Sequence, residues 1–196
     1  MRVLDLCSGL GGWSEPWLEN GHEVLRIDNN SKFKAVPNTR IADVFDFKPD
    51  ASFDIVLASP PCEGLSRGRK MGLDDWERVI LYLAVANRVK ELCRASVRYW
   101  VIENPKGLLR KFWGPPLTTV YYCRYGENYA KPTDLWSNDP RIASLGIPCP
   151  HVSHPGKYPR HSDLCLKSRA ERARIPRPLA EAVFGLWNRP FIPLLK

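Results

Sequence analysis

MRVLDLCSGLGGWSEPWLENGHEVLRID, residues 1–28, decides the fold. RVLDL (2–6) is a short, mostly apolar run of the kind that forms a buried strand. CSGLGG (7–12) follows it as a glycine-rich turn, where absent Cβ atoms let the backbone pass close to a ligand. Ser14 stands where a helix N-cap is expected, and Gly21 where that helix stops. EVLRID (23–28) is a second strand. A strand, a glycine turn, a helix and a second strand open a nucleotide-type α/β unit, although the glycine spacing is not the dinucleotide G-x-G-x-x-G.

The pattern continues outward. RIADVFDF (40–47) is a weaker third strand, and FDIVLAS (53–59) an apolar fourth that stops abruptly at Pro60-Pro61. Asp74 and Glu77 form a capping box that opens a helix over residues 75–95, and VRYWVIEN (97–104) is the fifth strand. Strands spaced by helices predict a doubly wound, mostly parallel sheet with its ligands at the carboxyl ends of the strands. LTTVYYCRYG (117–126) and TDLWSN (133–138) read as a hairpin, and PRPLAEAVFGLW (176–187) as a C-terminal helix. Three parts are expected: a core over 1–138, an irregular basic region over 139–172, and a helix within 173–196 that returns to the core.

The chain has 196 residues, 44% hydrophobic and 26% charged, which suits one globular domain. Its formal net charge of +8 favours a polyanionic partner, of which nucleic acid is the commonest. The longest apolar run, near VILYLAVA (79–86), is too short to span a bilayer, so no membrane partner is expected. No secretory signal is read at the start, and the six cysteines are widely spaced. A monomer with reduced thiols, in the cytoplasm of a bacterial, archaeal or phage-infected cell, is the expectation.

Two strand ends carry chemistry. In Ser59-Pro60-Pro61-Cys62-Glu63 two prolines hold the backbone stiff and leave a cysteine at the ligand edge. GLSRGRKMG (64–72) follows, with three glycines and three basic side chains suited to closing over a phosphate backbone. Ile102-Glu103-Asn104-Pro105 brings a carboxylate to the end of the fifth strand, toward the same crevice as Cys62. Cys149, His151, His154 and Cys165 could bind zinc, but their spacing matches no standard finger and polar loop residues are the expected reading, so no metal is assigned.

The set DLCSGLGG (5–12), SPPCEGLS (59–66), IENP (102–105) and YG-x4-K-x-T (125–133) resembles the C5-cytosine DNA methyltransferases, in that family's own order. The segment CRYGENYAKPTDLWSN (123–138) most resembles small, phage-like members. The resemblance implies a Rossmann-like fold, S-adenosylmethionine as cofactor and DNA as partner. It implies Cys62 as nucleophile, with Glu103 and Lys131 beside the reacting base. Asp5, Cys7, Ser8, Gly9, Gly11, Asp28, Asp43 and Pro60 would hold the cofactor. Ser66, Arg67, Arg69, Lys70 and Thr133 would meet DNA.

Five positions depart from the family's pattern. Glu63 stands for the usual Gln, Pro105 for Val, and Lys131 with Thr133 for an Arg-x-Arg pair. Strand two ends in Asp28, with Arg26 two residues earlier, where the family often carries Glu. Three other readings stay open: an amino-methyltransferase, since Ser59-Pro60-Pro61 matches part of its motif; an RNA cytosine-5 enzyme; and a catalytically silent DNA-binding module.

Overall fold

A computed structural model describes residues 1–49, 52–65, 75–94, 98–149 and 173–188. Seven strands form one sheet: β1 (Arg2–Leu6), β2 (Glu23–Asp28), β3 (Thr39–Ile41), β4 (Ile55–Ala58), β5 (Tyr99–Pro105), β6 (Thr118–Tyr121) and β7 (Pro132–Ser137). Among the described residues four α-helices accompany them: α1 (Glu15–Glu19), α2 (Asp75–Arg94), α3 (Leu109–Trp113) and α4 (Arg177–Asn188). The strand order is β3-β2-β1-β4-β5-β7-β6, parallel from β3 to β5, with β7 antiparallel to both its neighbours. This is the doubly wound, Rossmann-like sheet that the sequence predicts.

Strand alternation sorts the core into two layers. Val3, Ile55, Leu57, Val101 and Leu135 point to one face, where they meet Trp17 of α1 and Leu179, Val183 and Trp187 of α4. Leu4, Leu6, Val56 and Ile102 point to the other, against Val89, Leu92 and Cys93 of α2. The C-terminal helix is tied to α1 by the edge of Phe184 against Trp17, at 5.3 Å, and by Arg177, which pairs with Glu19.

The sheet order places the site. The chain runs outward from β1 through β2 to β3, then crosses to the opposite side of β1 to form β4. The strand order therefore reverses between β1 and β4, the point where open α/β sheets bind ligands. The glycine turn leaves β1 here, and Ser59-Pro60-Pro61-Cys62 leaves β4 beside it. β5 ends one strand further on, and β7, running the other way, begins at the same edge, with Thr133 opposite Pro105.

Some elements differ from expectation. The third strand covers only Thr39–Ile41, because Asp43 turns the chain by accepting the Phe45 amide at 2.9 Å. Short helices at Leu109–Trp113 and Pro140–Leu145 carry too little periodicity to be read from sequence. Asp74 of the capping box and most of 139–172 lie outside the described residues.

Candidate active site

The turn after β1 is built on left-handed backbone: Cys7, Gly9 and Gly11 have φ of 55°, 53° and 74°. Gly9 donates its amide to the Asp28 carboxylate at 2.9 Å, which ties the turn to the end of β2. At Gly11 no other residue fits. A Cβ there would lie 2.5 Å from the Arg26 guanidinium carbon.

Arg26 is the keystone beneath this turn. It is fully buried and donates to Gly11 O at 3.2 Å, Pro37 O at 2.9 Å, the Ser14 hydroxyl at 2.8 Å and Glu15 at 2.9 Å. Ser14 sits at the N-cap of α1 but caps nothing. Its hydroxyl is taken by Arg26 and donates to Asp5 at 2.6 Å. Asp5 is likewise fully buried; burial pushes its carboxyl up to about 7, against the pull of Ser14 and Arg26. Arg26→Leu would strand these acceptors, and breaking such a buried network costs about 3–5 kcal/mol. The Tm of the variant should fall by roughly 10 °C, and a scan showing no loss would refute this role.

Cys7, Asp28 and Asp43 converge above the turn. Burial drives the Cys7 thiol well above the usual range, and the charges of Asp28, Asp5 and Asp43 add to it. Asp28 also accepts the Asn30 amide at 2.9 Å. Among the described residues, the buried Ser8 hydroxyl has no hydrogen-bond partner and a Cβ on Gly9 would meet only Phe33, at 4.0 Å. An open glycine, an orphaned hydroxyl and two carboxylates at strand ends suit a ligand rich in hydroxyl and amino groups.

The reacting end lies one strand away. Asn104 donates its side-chain amide to Pro60 O at 2.9 Å, so β5 grips the Pro-Pro turn directly. Leu65 N bonds Cys62 O at 2.9 Å and Leu108 N bonds Leu65 O at 2.7 Å, which pins the turn on its far side. Gly64 is pressed against α2, where a Cβ would lie 2.6 Å from the Tyr82 ring. Tyr82 also donates to Glu63 at 3.1 Å. Cys62 itself stays half-buried at the surface of this clamp.

Glu103 is buried, and Lys131 approaches its Oε1 at 3.8 Å. Burial raises the Cys62 thiol first; the nearby Glu103 charge raises it further, and Lys131 lowers it. Burial likewise raises Glu103, while Lys131, Tyr122 and Ser59 pull it down. The three residues therefore share one electrostatic environment. Lys131 has φ of 25°, a backbone state that non-glycine residues seldom hold, as the chain turns into β7.

Thr133 does not present its side chain to solvent. It is fully buried and donates to Lys131 O at 3.0 Å. Ser66, Arg67, Arg69 and Lys70 lie outside the described residues, as do His151, His154 and Cys165. Cys149 is buried with its Sγ 3.4 Å from that of Cys123, and no group of three metal-ligating side chains occurs among the described residues. No helix among them is long and apolar enough to cross a membrane. Sequence reasoning missed Tyr122, Ser59 and Asn104 as parts of the site. Asn104 was visible as half of the Glu-Asn pair, whereas nothing in the spacing marks Tyr122.

No family model matches the chain. It is 26% identical over 167 residues to a Methanocaldococcus jannaschii protein described only as a candidate type II methyltransferase, which covers 68% of this chain and 53% of that protein. It is 28% identical over 160 residues to the mouse tRNA (cytosine(38)-C(5))-methyltransferase, covering 72% of this chain and 38% of that enzyme. The same-named enzyme of Spodoptera frugiperda is 28% identical over 120 residues, 54% of this chain and 36% of that enzyme. The chain thus spans about half or less of the length of these relatives. Among solved structures it is similar to an S-adenosylmethionine-dependent methyltransferase from Archaeoglobus fulgidus, with 27% identity, TM-score 0.35, and 53% and 44% of the two chains covered. A Thermoplasma acidophilum protein gives 16% identity and TM-score 0.39, covering 69% and 77%.

Proposed function

We propose that the protein transfers a methyl group from S-adenosylmethionine to carbon 5 of cytosine in DNA, through a covalent Cys62 adduct. One observation carries the reading. A cysteine just after β4, a buried carboxylate in β5 and a lysine just before β7 share one electrostatic environment at the sheet edge that also bears the glycine turn. An amino-methyltransferase needs no thiol, and a silent binding module needs none of the three.

The residue types fit the chemistry. Cytosine carbon 5 is a weak nucleophile. Addition of the Cys62 thiolate to carbon 6 turns it into an enamine carbon, while Glu103 delivers a proton to ring N3. When bound, the cofactor supplies an electrophilic methyl group. After transfer a base removes the carbon 5 proton, N3 returns its proton, and the Cys62–C6 bond breaks. Asp28 would hold ribose hydroxyls, Asp43 the adenine amino group, and Ser8 a polar group of the amino-acid end. The base must leave the helical stack to reach Cys62.

Protons balance within the pair. Burial favours the neutral form of each group, so the resting site is short of a full thiolate. Cys62 thiol with Glu103 carboxylate carries the same proton as thiolate with carboxylic acid. The thiol proton can therefore pass to Glu103 and on to N3, with Lys131 stabilising whichever partner is anionic.

A second reading has a specific observation behind it. Two of the relatives are named as methyltransferases of transfer RNA cytosine. Labelled S-adenosylmethionine offered with cytosine-containing DNA and with tRNA, followed by nucleoside analysis, separates the two. Label in 5-methyldeoxycytidine is the expected result. Label only in 5-methylcytidine of RNA would move the substrate and keep the mechanism. Label on an exocyclic nitrogen would overturn both.

A further inference from the structure

Tyr122 is a fully buried side chain at the end of β6, in the layer beneath the reacting residues. Its hydroxyl has a single proton, donated to Glu103 Oε1 at 3.1 Å. The same oxygen accepts from Lys131 Nζ at 3.3 Å, and that ammonium also stands 4.4 Å from the centre of the Tyr122 ring. The result is a chain of fixed polarity: Lys131 donates to Tyr122, and Tyr122 donates to Glu103.

We infer that Tyr122 is the positioning residue of the site: it fixes the Glu103 carboxylate through Oε1 and couples it to Lys131, and so sets which oxygen carries the proton destined for the base. Tyr122 is too deeply buried to touch a base, so it acts only through Glu103. An ammonium bonded to a phenol oxygen makes the phenol a stronger donor, and the low-dielectric surroundings strengthen both links. Oε1 is thus committed to Tyr122 with Lys131 close by, and the exchangeable proton sits on Oε2. The carboxyl group cannot swing to exchange its oxygens without breaking the chain. Without the hydroxyl, Glu103 keeps Lys131 at 3.8 Å but loses the directional anchor that Tyr122 supplies on Oε1.

The inference rests on the cytosine-5 reading for its role in catalysis, but its physical core is measurable without turnover. The decisive variant is Tyr122→Phe, which keeps the ring, its packing and its contact with the Lys131 charge. The control is Tyr125→Phe, which removes a buried hydroxyl from the same 3₁₀ turn, one bonded to Leu145 O at 2.6 Å and not to Glu103.

The first measurement is a carbon-13 titration of the glutamate carboxyls, with the Glu103 resonance identified by its loss in Glu103→Gln. A hydrogen bond to a charged group favours the ionised form. Removing it should move the Glu103 midpoint up by about one pH unit in Tyr122→Phe and leave it in place in Tyr125→Phe. The second measurement is kcat and KM on the nucleic acid that serves as substrate. Tyr122→Phe should lower kcat about tenfold with KM nearly unchanged, since the contact acts in the chemical step. It should also move the acid limb of kcat/KM upward with the carboxyl. An unmoved Glu103 midpoint, or a pH profile that superimposes on the wild type, overturns the inference. A shifted midpoint in a protein that makes no 5-methylcytosine would uphold the coupling and refute the proposed function instead.

Discussion

Cys62→Ala is expected to abolish methyl transfer while the protein still folds and still binds S-adenosylmethionine. The side chain is half-buried at the tip of a turn whose shape comes from Pro60, Pro61 and Asn104, not from the thiol. Removing it therefore leaves the clamp intact. Among the described residues, Cys7 lies in the glycine turn and Cys93 is enclosed between α2 and the sheet, each with its thiol driven strongly toward the neutral form by burial. Loss should exceed about 10⁴-fold, the scale seen when a covalent nucleophile is deleted. DNA containing 5-fluorocytosine makes the test direct. The wild type should form a denaturation-resistant adduct that maps to Cys62, and the variant none. Residual 5-methylcytosine from Cys62→Ala would end the covalent mechanism.

Glu103→Gln should cost roughly 10²–10⁴ in rate with little change in DNA binding. The amide retains the shape of the side chain and accepts from Tyr122, but it has no acidic proton to give N3. The variant also removes a negative charge that raises the Cys62 thiol. Cys62 should consequently titrate at lower pH and react faster with an alkylating agent, while turnover falls. These opposite signs distinguish a lost acid from a damaged fold, which would slow transfer without that gain in thiol reactivity. Activity within about threefold of wild type, well short of the loss expected for a general acid, would remove Glu103 from the chemistry.

The first 28 residues disclose the fold because strand period, glycine turn and second strand all lie within one local stretch. The same holds for the apolar run before Pro60-Pro61 and for the hairpin of β6 and β7. Roles that depend on long-range packing were not legible. Ser14 reads as a helix cap, yet the buried Arg26 claims its hydroxyl, and only the pairing of β1 with β2 brings that guanidinium there. Asp5 joins the same network through the Ser14 hydroxyl, a contact that nothing local in the sequence marks. Tyr122 is 19 residues from Glu103 and 9 from Lys131. The antiparallel insertion of β7 between β5 and β6 brings the three together. Strand alternation likewise buries Thr133 beside the Lys131 corner, an orientation set by the pairing of β7 with β5.

The position of β7 has a consequence for how the molecule comes into being. Among the described residues β6 pairs with β7 alone, so neither this edge of the sheet nor the Lys131 corner can form until residues 132–137 have been synthesised and placed beside β5. Until then β5 presents an unpaired, largely apolar edge, a surface prone to wrong association. Sheets whose pairings span distant parts of the chain fold slowly, because loop entropy is lost before contacts repay it. A nascent chain therefore already contains Cys62 and Glu103 while it still lacks the lysine that stabilises their shared charge. Chemistry and the protection of that edge arrive together, when β7 docks.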